Sequence, residues 1–192
     1  MGVGRASAMI ELRDLQSEDE EQLFLWRREP EVDRWMSDAA FPEHEAHRRW
    51  FEQLRGDPDH RGWMITRNDG AAGLLTLGGL TSHHRKAIFH WFVGDAEARG
   101  RGVGRAAQVL GLDKAFRELA LHKVFAEVMA DNDAALRVMA AAGFRREGYL
   151  RGHVLKDGRP RDVVMVGMLA EEWETLRDKA RRQLAEARMI AA

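Results

Sequence analysis

The chain has 192 residues, 45% of them hydrophobic and 32% charged, with four prolines and eighteen glycines, which fits one globular domain with a short appendage and excludes wholesale disorder or a collagen-like repeat. Thirty basic side chains against thirty-one acidic ones leave a formal charge of -1, so no global field draws the chain to nucleic acid or to an anionic membrane, and any anion site must be local. The absence of cysteine removes disulfide frameworks, thiolate nucleophiles and Cys-based zinc sites together, and fits a reducing compartment.

No apolar run approaches the ~20 residues of a membrane span, and Met1 to Ala8 lack the apolar core of a signal peptide. The expected location is cytoplasmic. Residues 1–8 are set aside as a disordered start, 9–170 are expected to form one domain, and 171–192 a C-terminal helix and tail. Met9 to Asp14 alternates weakly and predicts a first strand. Ser17-Glu18-Asp19-Glu20 has the S-x-x-E form of a capping box and predicts a helix carrying Leu23, Phe24, Trp26 and Arg27. Pro30 ends or restarts that helix, and Glu31 to Met36 makes a further turn with Trp35 and Met36 on it. Pro42 then opens a second main helix, with His47, Trp50, Phe51 and Leu54 at helical spacing, stopped by Gly56 and Pro58.

The period changes in the middle of the chain. Trp63 to Thr66, the turn Asn68-Asp69-Gly70 and Ala72 to Leu80 read as an antiparallel hairpin. After a polar loop, Ala87 to Val93 is apolar nearly throughout, the pattern of a central strand buried on both faces. Gly94 to Gly104 is a glycine-rich connection running into a helix over 103–120. A strand over Lys123–Met129, a short helix over Asp133–Ala142 and two strands, Phe144–Val154 and Arg161–Leu169, around Asp157-Gly158 complete the series. Strand, glycine loop, helix, strand is a right-handed crossover, so 87–93 and 123–129 are predicted to be parallel neighbours in an otherwise mostly antiparallel sheet of about seven strands. The predicted class is α/β with a mixed sheet. Residues 171–188, with five acidic and five basic side chains, read as a solvated amphipathic helix.

Arg99-Gly100-Arg101-Gly102-Val103-Gly104 carries the chemistry. Its glycines allow a tight turn that brings successive N–H groups toward one point, and the following helix adds unpaired N–H groups and the positive end of its dipole. Arg99, Arg101 and Arg105 raise the local positive charge, so a diphosphate suits the loop better than a carboxylate. A Walker loop would need a Gly-Lys-Ser/Thr ending and a dinucleotide fingerprint a G-x-G-x-x-G spacing, and both fail here. A glycine-rich connection with solvating arginines is the plain alternative.

The R-x-x-G-x-G spacing of Arg99, Gly102 and Gly104, followed by a helix, a strand, Asn132 and then Gly143-Phe144, resembles the GNAT superfamily of acyl-CoA-dependent N-acetyltransferases. The resemblance implies the GNAT fold and acetyl-CoA as co-substrate, with no metal. It implies phosphate contacts at Arg99, Gly100, Arg101, Gly102, Val103 and Gly104, pantetheine backbone contacts at Phe92 and Val93, and coenzyme contacts at Asn132 and Met139. The stretch Trp26 to Val32, Trp35-Met36, the His47 helix and the tail Glu147 to Arg151 are similar to the branch holding ribosomal-protein and amino-sugar acetyltransferases. Within it, the Trp-Met pair and the His47 helix are most similar to the enzymes that acetylate a UDP-linked 4-amino sugar in the pseudaminic acid pathway.

Two departures stand out. Many members place a Glu on the strand before the loop, and here that position is Ile88; a Tyr that often protonates the departing thiolate is replaced by Met139, which has no proton to donate. Strand alternation puts His90 on the same face as Ile88, and Glu127 lies on the next parallel strand, so these two are the expected bases, each also readable as a packing or salt-bridged residue. The mechanism expected is direct transfer without an acyl-enzyme, with the thioester oxygen polarised by a backbone N–H at Phe92 or Val93. The expected acceptor is a small-molecule amine, its site built from Trp26, Arg27, Trp35, Met36, His47 and Trp50, an aromatic and cationic rim suited to a nucleotide-linked amino sugar; core packing is the alternative for each. Acetylation of a protein N-terminus or a polyamine, and a non-catalytic acyl-CoA-binding module, are the other readings. The protein partner left open is a second copy, in a homodimer.

Overall fold

A computed structural model describes residues 8–37 and 43–191. Seven segments of alternating or continuous apolar character pair into a single sheet: β1 (Ile10–Asp14), β2 (His60–Arg67), β3 (Gly70–Gly78), β4 (Lys86–Val93), β5 (Lys123–Met129), β6 (Arg145–Lys156) and β7 (Arg159–Leu169), in the order β1-β2-β3-β4-β5-β7-β6. Only β4 and β5 run parallel; the other neighbours are antiparallel. This is the mixed α/β architecture that the sequence predicts. Asn68 and Asp69 both take positive φ, 49° and 67°, at the β2–β3 turn, as a hairpin turn matched to strand twist requires.

Helices cover both faces. On one side α4 (Val103–Asp113), α5 (Asp133–Ala142) and α6 (Ala170–Glu186) pack on the larger core, which takes Phe89 from β4, Leu75 and Leu77 from β3 and Val166 from β7. On the other, α1 (Asp19–Arg27) and α3 (His44–Gly56) close a smaller core of Leu23, Trp26, Phe51, Leu54, Met64 and Leu74, while α2 (Pro30–Asp33) is a single turn. The crossover helix α4 ends in a π-turn over Lys114–Glu118. Among the described residues no helix is long and apolar enough to cross a membrane.

Two sequence expectations change, and the last helix gains a tertiary role. Ser17 does not cap α1: its hydroxyl bonds the neighbouring Glu18 carboxylate, the N-cap position falls on Glu18, and the Asp19 carboxylate holds the entry by accepting from Gln16 N–H and the Arg13 guanidinium. The C-terminal helix, exposed over most of its length, docks its apolar stripe on the core, with Trp173 fully buried and Leu184 nearly so, and Asp113 accepts hydrogen bonds from Trp173 Nε1, Arg177 and Arg181. β4 is buried on one face only, with His90 exposed on the other. The expected helix start at Pro42 lies outside the described residues; α3 is described from His44.

The register explains where a site can form. β4 and β5 pair only from Lys86↔Lys123 to Ile88↔Phe125. Beyond that, β4 follows β3 to Val93↔Gly73 and β5 follows β7 to Met129↔Val163, so the sheet opens between the two parallel strands.

Candidate functional site

A cavity of about 730 Å³ occupies this opening and is lined from both sides of the sheet. Its first end is the glycine loop. Gly100 and Gly102 take φ of 71° and 84°, a left-handed region that costs an L side chain about 1–3 kcal/mol, and Gly102 serves as the N-cap position of α4, whose first turn has no acidic residue. Gly100, Gly102, Val103, Gly104 and Arg105 line the cavity there. A Cβ at Gly104 would lie 2.6 Å from the Trp91 ring, so the missing side chain lets α4 seat directly on that indole.

The arginines have other tasks than the sequence suggests. Arg99 donates from Nε to Val93 O at 3.0 Å and from its terminal nitrogen to Gly94 O and Glu29 at 2.6 and 2.8 Å. It is a strut joining the loop to β4 and to the residue before α2. Arg101 donates to Glu97 O at 2.6 Å and lies outside the cavity lining, and Arg105 donates to Gln183 on α6. The anion-binding capacity of this end therefore rests on main-chain N–H groups and the helix terminus. The cradle fits a pyrophosphate linker: two left-handed glycines, a helix start free of carboxylates and open space at Gly100, where a Cβ would meet nothing within 4 Å.

The wall beyond is formed by α5 and the separated strand edges. Asn132 Oδ1 accepts from Ala135 N–H at 3.0 Å, capping α5, and Asn132, Val138 and Met139 line the cavity with Phe92 and Val93. Gln108, fully buried, accepts from Trp91 Nε1 at 2.9 Å when its amide oxygen faces the indole, and then donates to Val138 O. Neither Gln108 nor Trp91 is marked by any sequence motif; a buried amide on α4 and an indole beneath it emerge only once the crossover is folded.

The second end is built from α1, α2 and the residues after it, α3, β2, β3, β4, β5 and β6. Arg27, Trp35, Met36 and Trp50 line it, joined by Glu31, Arg34, His60, Thr76 and Val154. Trp26 and His47 do not. Trp26 packs in the smaller core, where a Cβ on Gly94 would meet its ring at 2.1 Å. His47 has no exposed surface, and its Nδ1 stands 2.7 Å from Glu20 Oε1. Burial lowers the His47 pKa against the opposing pull of Glu20, and Glu20 stays below the usual carboxylate range because hydrogen bonds with His47 and His44 outweigh its own desolvation. These are the core-packing alternatives realised. Glu20 and Glu21 also gather with His44, one ligand atom from each within 4.8 Å of the others, outside the lining of the cavity.

His90 and Glu127 both line the cavity. They lie two residues beyond the last β4–β5 pair, Ile88↔Phe125, and so face the same side of the sheet. Glu127 Oε2 is 3.6 Å from His153 Nε2. His153 comes from β6, whose register against β7 slips between Leu150 and Val154. Asp162 pins that irregular stretch by accepting from Tyr149 Oη at 2.6 Å and Gly152 N–H at 2.7 Å; these two bonds, the hydroxyl's first, hold its carboxyl below the ordinary range. At the hairpin tip Lys156, 4% exposed, meets Asp33 at 2.9 Å and ties β6 to α2.

The family described as "Acetyltransferase (GNAT) domain" matches residues 10–145. Among curated relatives, "Probable N-acetyltransferase YjcK" of Bacillus subtilis is 31% identical over 119 residues, 62% of this chain and 66% of that one. The "Spermidine N(1)-acetyltransferase" of Escherichia coli K12 is 23% identical over 85% of this chain and 88% of its own. Among solved structures, spermidine N-acetyltransferase from Vibrio cholerae in complex with CoA and spermine superposes with a TM-score of 0.81 at 22% identity, covering 86% of this chain and 98% of that one.

Proposed function

This chain belongs to the acetyltransferase (GNAT) domain family and is an acetyl-CoA-dependent N-acetyltransferase, and from that premise we propose that it transfers the acetyl group directly to a primary amine of a small molecule, a polyamine such as spermidine first among them. The observation that carries the acceptor class is the state of the charges at the second end of the cavity. Arg34 is engaged with Glu31 at 2.8 Å and lies over the Trp35 ring, and Arg27 is buried over Trp50. Cations already committed in this way are poor partners for the diphosphate of a UDP-linked sugar, whereas the Glu127 carboxylate on the cavity wall, its side chain 29% exposed, is an anionic partner for an alkylammonium. The relatives named for an acceptor add weight, since they act on spermidine. The UDP-linked 4-amino sugar remains the second reading, supported by Trp35 and the two arginines on the cavity wall.

In this reading the amides of residues 100–104 hold the coenzyme's pyrophosphate, and the separated edges of β4 and β5 receive its pantetheine arm, with Asn132 and Met139 beside it. Gly94 N–H is bonded to Ala72 O on β3; strand alternation then turns the N–H of Phe92 toward β3 and that of Val93 toward the opening. Val93 is therefore the donor that polarises the thioester oxygen. An alkylammonium near pKa ~10.4 must lose a proton before its lone pair can attack, and Glu127 and His90, on the facing edges of β5 and β4, are the acceptors we assign. Because Met139 cannot donate, the departing thiolate takes its proton from solvent, which the ordinary thiol pKa of ~8.5 permits.

Thiol release from acetyl-CoA, followed across a panel of spermidine, spermine, a UDP-linked 4-amino sugar and an N-terminal peptide, tests the assignment. A kcat/KM for spermidine at least tenfold above the rest is expected. A UDP-sugar preference of that size would overturn the polyamine reading in favour of the second one.

A further inference from the structure

We infer that His153 is a proton-relay residue for the acetyl-transfer site, positioned behind Glu127 by the irregular stretch of β6. The inference rests on the acetyltransferase reading and deepens it. Glu127 faces the cavity and its side chain is 29% exposed, while His153, 44% exposed, stands outside the lining on the solvent side of the same carboxylate. A proton taken up inside the cavity thus meets a carboxylate first and an imidazole next, and imidazole is the side chain that exchanges protons with water most readily near neutral pH. At 3.6 Å the pair is a small rotation short of a hydrogen bond, the slack ordinary for a site without substrate.

The backbone is arranged for this contact. β6 is an edge strand with no neighbour beyond it among the described residues. It nevertheless breaks register with β7 between Leu150 and Val154, and Gly152, at φ 57°, makes the bend. A bulge re-aims a side chain; here it sends His153 over β7 to β5. The other titratable or charged groups on the flanking elements include His90 on β4, Arg151 and Lys156 on β6, and Arg161 and Asp162 on β7. Of these, Lys156 is engaged with Asp33, Arg161 with Asp131, and Asp162 with Tyr149 and Gly152.

The step balances without another reactant. The amine lone pair forms the C–N bond to the acetyl carbon, and the C–S bond breaks with its electrons on sulfur. An alkylammonium sheds two protons on its way to the amide. One replaces the proton the thiolate draws from solvent, and the other is the net proton released; both leave the nitrogen through Glu127 and His153.

The test uses the full chain with acetyl-CoA and the best acceptor of the amine panel. His153→Ala should lower kcat at pH 7 about tenfold, less than the ~10²–10⁴ of a direct general base because His153 acts through Glu127, leave the KM for acetyl-CoA unchanged, and recover most of the rate when imidazole is added to the buffer. Adding Glu127→Gln to that variant should abolish the recovery. Wild-type kcat in His153→Ala at every pH, or a loss that imidazole does not restore, would each overturn the relay alone. A wild-type chain that releases no thiol with any amine would overturn the acetyltransferase reading as well.

Discussion

Gly102 and Gly104 stand two residues apart and are glycine for different reasons. Gly104 must clear the Trp91 ring, whereas Gly102 must hold φ at 84° so that α4 can begin with its amides turned to the cavity. The second requirement separates strain from charge. Gly102→Ala should destabilise the fold by roughly 1–3 kcal/mol through left-handed strain, read as a lower Tm, with a small rise in the KM for acetyl-CoA. Gly102→Asp carries similar strain but sets a carboxylate where a pyrophosphate binds, and its KM for acetyl-CoA should rise at least tenfold more than in the alanine variant. Equal KM values in the two variants would show that the loop does not meet the phosphates. The glycines were readable in the sequence because a turn's demand for positive φ is local. The role of Arg99 was not: its partners Val93 O, Gly94 O and Glu29 are set by the corner between β4 and the residue before α2, which no spacing rule encodes.

At the scale of elements, β5 and α5 fall on the predicted residues, since each is bounded by its own signals: a short apolar run for the strand, Asn132 as cap and Gly143 at φ 102° for the helix. α1 begins later than the S-x-x-E pattern suggests because Arg13 and Gln16 N–H hold the Asp19 carboxylate, a tertiary competition. The α1–α3 contact carries its own pH dependence. The His47 pKa is lowered by burial, so the unfolded chain binds a proton that the folded chain refuses, and stability falls as pH drops through the ordinary histidine range near 6.5. Glu20, also lowered, adds a loss of the same sign at more acid pH. Tm should thus decline more steeply between pH 7 and 5 in the wild-type chain than in His47→Gln, and identical slopes would refute the coupling. On the far side of the site, Lys156→Ala removes the tie to Asp33. It should cost about 1–2 kcal/mol, a partly solvated pair being worth less than a fully buried one, and raise the KM for the amine several-fold while that for acetyl-CoA holds. The reverse pattern of KM changes would place the tie with the coenzyme end instead.

Across the whole molecule, one opening between two parallel strands joins the end proposed for the coenzyme to the end proposed for the acceptor. The residues of the first were legible as a group because 100–104, 132 and 139 follow one another from the glycine loop to α5 in continuous order. The second draws on α1, α2, α3, β2, β3, β4, β5 and β6, which topology alone brings together; hence Arg27, Trp35, Met36 and Trp50 line it, Trp26 and His47 are core, and His153 carried no signal at all. The near-neutral charge of the chain accords with this proposal, in which main-chain amides at a single helix start receive the anion. The central claim is that these amides hold the coenzyme and direct its thiol into the β4–β5 opening. A crystal structure of the chain grown with coenzyme A measures this directly: the pyrophosphate oxygens are predicted within hydrogen-bond distance of the N–H groups of residues 100–104, with the sulfur near Val93 and Glu127, whereas a coenzyme bound elsewhere with this opening vacant would contradict the account.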